Sequence, residues 1–156
     1  MKFTSKKTIL FDLDGTITES GEGITNSFKY ALKAYGIHDY NEKDLQRFVG
    51  PPLFDAFKEI LGYDDLKTAE VIEVYREYYR DKGIFENRVY EGIEPLLKRL
   101  ADDGRKIVLA TSKAEVFAER ILEHFNISQY FSILAGSELD GTRKEKIEVI
   151  RYAIEK

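Results

Sequence analysis

The chain has 156 residues, 43% of them hydrophobic, 33% charged, with a net charge of −4. Such a chain can bury a real core, and its acidic balance offers no basic field for gripping nucleic acid. The absence of cysteine excludes a disulfide framework, thiolate metal sites and a Cys nucleophile, which fits a reducing cytoplasm.

In chain order, Met1 to Lys7 lead into only a short apolar run, too brief for a signal peptide, and no apolar run approaches the ~18 residues of a membrane span. A cytoplasmic protein with no membrane and no nucleic-acid partner is expected. Thr8-Ile9-Leu10-Phe11 does not alternate, which predicts a strand buried on both faces. Residues 19–87 carry helical patterns and no convincing strand, predicting an inserted helical module. Its faces are Ile24, Phe28, Ala31, Leu32 and Tyr35, then short helices over 45–49 and 53–61, then a stripe of Leu66, Ala69, Ile72, Tyr75 and Tyr79. Ile93, Leu96, Leu97, Leu100 and Ala101 predict an amphipathic helix stopped by Gly104. Lys106 to Ala110 reads as a second strand and Phe131 to Ala135 as a third. Ala118, Ile121, Leu122 and Phe125 follow the second strand at helical spacing, as Ile147, Ile150 and Ile154 follow the third. Strand and helix in alternation predict an α/β core with a parallel sheet over 1–18 and 88–156, interrupted by a helical cap over 19–87.

Chemistry falls to carboxylates, hydroxyls and lysines, because His38 and His124 form no metal-binding spacing. The most informative stretch is Phe11-Asp12-Leu13-Asp14-Gly15-Thr16. Two carboxylates two residues apart at the end of a buried strand suit a hard cation such as Mg²⁺ together with a phosphate, whereas the alternative is a plain Asp-Gly turn. An EF-hand loop fits worse, since Thr16 and Ile17 fall where a ligand and a glycine are required. Thr111-Ser112-Lys113 follows the second strand on the same sheet edge; it reads either as a phosphate contact or as the N-cap of the next helix. Thr142 to Lys146 begins the last helix, where lysine opposes the helix dipole and so invites a functional reason.

In order and spacing these pieces resemble the haloacid dehalogenase-like superfamily of phosphatases. Phe48-Val49-Gly50-Pro51-Pro52-Leu53 and Gly136 to Arg143 are similar to its phosphoglycolate phosphatase-like branch. The resemblance implies a three-layer Rossmann-like core with a helical cap, and Mg²⁺-dependent hydrolysis of a small phosphorylated metabolite. It implies Asp12 as a nucleophile forming an aspartyl-phosphate, Asp14 as general acid and base, and both as metal ligands. Thr111 would hold a phosphoryl oxygen and Lys146, with Lys144 as the alternative, would neutralise charge. Gly15, Thr16, Gly50, Ser112 and Lys113 would line the substrate site. The family's fourth motif, an acidic pair usually within Gly-Asp, is absent, since no Gly-Asp occurs in the chain. The resemblance therefore implies a C-terminally shortened member whose first strand lies at a sheet edge, inviting self-association and low turnover. A non-catalytic, phosphate-binding module resembling a response-regulator receiver is the competing expectation.

Overall fold

The computed structural model describes residues 7–156; the reading made on Met1 to Lys6 lies outside them. The chain divides into two compact units, one running to Thr18 and resuming over Val89–Lys156, the other formed by Glu19–Arg88.

In the first unit, β1 (Thr8–Phe11), β4 (Lys106–Ala114) and β5 (Ile133–Ser137) form a parallel sheet in the order β1-β4-β5. The register pairs Ile9 with Ile107 and Val108 with Ile133, then breaks between Ala110 and Ala114. Helices α5 (Ile93–Asp102), α6 (Glu115–His124) and α7 (Lys146–Glu155) pack on β4, and α6 and α7 also on β5. Right-handed crossovers in one direction place α5 and α6 on one face. Val108, Ala110 and Ala135 turn the other way, onto Val149 and Ala153 of α7. The α/β class and the strand–helix alternation stand as expected.

Four expectations about faces and boundaries are corrected. β1 is not buried on both faces: Leu10 is 41% exposed, because the helices stack over β4 and β5 and β1 is the edge strand. On α7 the buried face is Val149 and Ala153, while Ile147 and Ile154 are exposed. Lys146, Val149, Ile150 and Ala153 fall at i, i+3, i+4 and i+7, so the face that carries the lysine faces the sheet and the two outer isoleucines rotate away. α7 also starts later than expected, at Lys146, with a capping box between Glu145 and Glu148 satisfying its first N–H groups. Neither Thr111 nor Ser112 caps α6; its N-cap is Ala114, and the strand continues through both hydroxyl residues.

In the second unit, α1 (Gly21–Ala34), α2 (Glu42–Gln46), α3 (Leu53–Leu61) and α4 (Asp65–Tyr78) surround an aromatic core. Phe28 lies 4.6 Å from Phe57 and 5.2 Å from Tyr75, ring centre to ring centre. α2 begins earlier than the expected 45–49 because the Asn41 side chain accepts from Lys43 N–H and caps it. The buried stripe of α4 is Thr68, Val71, Ile72 and Tyr75; Leu66 and Ala69 face outward. A π-helical segment, Tyr79–Gly83, continues α4. Two-residue strands β2 (Thr18–Glu19) and β3 (Arg88–Val89) pair where the chain leaves and re-enters the first unit, and Arg88 is ion-paired with Glu19. Among the described residues no helix is long and apolar enough to cross a membrane.

Candidate active site

The carboxyl ends of β1 and β4 and the start of α7 bring four charged side chains into two ion pairs. β1 stops at Phe11, so the Asp12–Asp14 spacing works through a turn rather than through strand alternation. In that turn the Leu13 carbonyl accepts from the N–H groups of Thr16, Ile17 and Thr18, at 3.2, 2.9 and 3.0 Å. Leu13 and Ile17 are fully buried and anchor it, each side chain contributing ~2 kcal/mol of apolar burial. Gly15 takes φ +75°, a conformation that side-chain-bearing residues resist, and donates to Thr18 carbonyl oxygen at 2.8 Å. Gly15 and Thr16 are exposed beside the acids.

Asp12 Oδ1 accepts from the Leu13 N–H at 2.8 Å, and Oδ2 lies 2.6 Å from Lys146 Nζ. Lys146 Nζ also donates to the Ala110 carbonyl at 3.3 Å, tying α7 to the end of β4. Both side chains of this pair are well exposed, 41% for Lys146 and 38% for Asp12. Asp14 Oδ2 lies 2.8 Å from Lys113 Nζ in a pair only 15% and 9% exposed. Asp14 Oδ1 is buried with no hydrogen-bond partner among the described residues.

Thr111 is 1% exposed, and its Oγ1 accepts from Lys113 N–H at 3.2 Å. Ser112 is half-buried, and its carbonyl accepts from Ser137 Oγ at 2.8 Å. Lys144 is exposed in the loop ahead of α7. Gly50 lies in the other unit, exposed at φ +111° between α2 and α3. Among the described residues no group of three or more His, Asp or Glu side chains gathers to hold a metal. Asp12 and Asp14 offer a hard-oxygen pair, and Asp14 Oδ1 is an acceptor that none of the described residues satisfies; such a hard-oxygen site fits Mg²⁺ completed by water and phosphate oxygens.

Sequence reasoning named Arg143 only as the end of the string Gly136 to Arg143 and gave it no structural role. It sits at φ +60°, donates from Nε to the Gly136 carbonyl at 3.2 Å, is ion-paired with Glu138 and lies 4.1 Å from the Tyr152 ring centre. Those contacts fold the loop that delivers Lys146. The only sequence signal was the turn-rich Asp140-Gly141-Thr142 ahead of the arginine.

A family model described as haloacid dehalogenase-like hydrolase matches residues 9–156. The chain is 45% identical over 147 residues to a 5'-nucleotidase of Pseudomonas aeruginosa, covering 94% of this chain and 66% of that protein. It is 40% identical over 151 residues to the tyrosine-protein kinase PtkA of Mycobacterium tuberculosis, covering 96% and 51%. A crystal structure of a predicted phosphatase from Clostridium acetobutylicum matches it with a TM-score of 0.91 at 49% identity, covering 96% of this chain and 69% of that one. The chain therefore spans about half to two thirds of these proteins' lengths. A match over nearly every residue, on a fold that puts its acids and lysines at the strand ends, assigns the chain to the haloacid dehalogenase-like hydrolase family.

Proposed function

We propose that the protein hydrolyses a phosphomonoester of a small metabolite through a phosphorylated Asp12. The observation that carries this reading is the Asp12–Lys146 pair: a carboxylate fixed by a backbone N–H on one oxygen and by a lysine on the other, open to solvent at the end of β1. In the forward step an Asp12 oxygen attacks phosphorus in line, the ester P–O bond breaks, and Asp14 gives its proton to the leaving alkoxide. Asp14, now a carboxylate, then takes a proton from water; the oxygen attacks phosphorus, the P–O bond to Asp12 breaks, and phosphate departs. Lys146 stays beside the transferring group and offsets its negative charge, while Thr111 would donate its hydroxyl to a phosphoryl oxygen. Mg²⁺, held through the Asp12 carboxylate, would supply charge neutralisation that lets an anionic nucleophile approach an anionic phosphate, which leaves Asp14 Oδ1 to carry the proton.

A 5'-nucleotidase relative and a kinase relative share phosphoryl chemistry and differ in acceptor, so water as acceptor is the part of this reading that measurement decides. Phosphate release from a panel of phosphomonoesters with Mg²⁺ is expected for the wild-type chain and should fall by about 10⁴-fold or more in Asp12→Asn, because an amide is no nucleophile. Near-normal release by that variant would refute the reading. Phosphate binding with no release would favour the non-catalytic alternative.

A further inference from the structure

Two lysines sit at the sheet edge, and their surroundings assign them different work. Lys146 is open to solvent beside the open Asp12, while the Lys113 side chain is 9% exposed and its ammonium is ion-paired with Asp14. We propose that Lys113 is a positioning residue that holds the Asp14 carboxylate in place, and that it does not bind the substrate's phosphate. This rests on the reading of Asp14 as the general acid.

The backbone around Lys113 is built for such a task. Between Ala110 and Ala114 the ladder between β4 and β5 is irregular, and the lysine lies inside that break. Its N–H is tied to Thr111 Oγ1, and the carbonyl before it is held by Ser137 Oγ. Its own carbonyl lies so close to Gly136 that a Cβ there would come within 2.8 Å of it, and within 2.7 Å of Glu115 Cα. Gly136 is in turn fixed, its N–H donating to Glu115 Oε2 at 3.0 Å and its carbonyl accepting from Arg143 Nε. The stem of Lys113 thus starts from a backbone fixed by the end of β5. A poorly solvated ion pair holds its geometry more firmly than an exposed one, because neither partner can exchange readily for water. Asp14 is aimed through Lys113, and Lys113 through Gly136.

The test uses the full chain with Mg²⁺ and compares Lys113→Met, Lys113→Arg and Gly136→Ala with wild type. An alkyl phosphate needs its leaving oxygen protonated, whereas p-nitrophenyl phosphate does not. Lys113→Met is expected to lower kcat by about 100-fold on the alkyl ester and by less than about fivefold on the p-nitrophenyl ester. KM for both, and the calorimetric affinity for inorganic phosphate, should stay within about threefold, and Lys113→Arg should recover part of the loss. Gly136→Ala touches neither charge and, by displacing the backbone that carries Lys113, should show the same leaving-group signature; Lys113→Gln, which keeps a polar stem and loses the charge, keeps the test open if Lys113→Met folds poorly. Weakened phosphate affinity with raised KM on both esters would overturn the proposal and make Lys113 a phosphate ligand. An equal loss on the two esters would overturn it too. A loss in Asp14→Asn that is equal on the two esters would instead strike the underlying reading of Asp14 as the general acid, and phosphate affinity would still report whether Lys113 touches phosphate.

Discussion

The Lys146–Asp12 pair and the Lys113–Asp14 pair have similar lengths, 2.6 and 2.8 Å, and opposite environments. Water reaches both members of the first, which screens their attraction and makes the pair cheap to open. In the proposed mechanism Asp12 needs that freedom, because one of its two held oxygens must be released to reach phosphorus. Water scarcely reaches the second, so removing either partner strands a charge in poor solvent. An acid that must meet one leaving oxygen gains from being held. Distance alone would have treated the two pairs as equivalent; exposure separates them, and the two proposed roles, nucleophile's pair and positioning pair, rest on that difference.

The comparison breaks first on stability. Lys113→Ala should lower unfolding free energy by about 3 kcal/mol because Asp14 is left buried and uncompensated, while Lys146→Ala should cost under about 1 kcal/mol. Urea denaturation of both variants would show it, and equal losses would dissolve the distinction. On activity, Lys146→Ala should reduce turnover by about 10²-fold through lost stabilisation of phosphoryl charge, with Lys144→Ala close to wild type. The reverse order would transfer the role to Lys144. Replacing Mg²⁺ by Ca²⁺ should lower phosphate release by about tenfold, since the larger ion takes more oxygen ligands at longer distances and competes for both oxygens of Asp12. Equal rates with the two ions would contradict Asp12 as a ligand. The smallest effect belongs to an exposed carboxylate used as a reference. Asp140 accepts from the backbone N–H of Thr142 at 2.8 Å, and that hydrogen bond holds its carboxyl below its ordinary value of 3.8. A lowered folded-state value means stability that is present above the ordinary carboxylate range and lost as pH falls through the folded-state value. The difference in Tm between wild type and Asp140→Asn should therefore shrink on acidification below about pH 4.

Much of the α/β core was legible because its periods are clear. The apolar run 107–110 became the fully buried centre of the sheet, and Ala118, Ile121 and Leu122 became the buried face of α6. Faces failed where a second apolar stripe competed. On α7 three isoleucines outweighed Val149 and Ala153 by size, but the small side chains Ala110 and Ala135 on the sheet leave room for close helix approach. Strand-end acids, hydroxyls and lysines could be picked out by position, since a parallel sheet gathers them at one edge. Lys146 was matched to Asp12 only through the family resemblance and the Lys113–Asp14 pair was not read at all, because these pairings depend on the irregularity after Ala110 and on the loop folded by Arg143. Neither carries a hydrophobic period.

The most direct test of the central claim is to find the phosphoryl group itself. The wild-type chain would be mixed with a turned-over phosphomonoester and Mg²⁺, quenched in acid within one turnover, and digested for mass spectrometry. The account predicts one phosphoryl group, labile to hydroxylamine, on the peptide containing Asp12, and none in Asp12→Asn. Phosphate release without any such adduct, or an adduct on a serine, threonine or tyrosine, would contradict it.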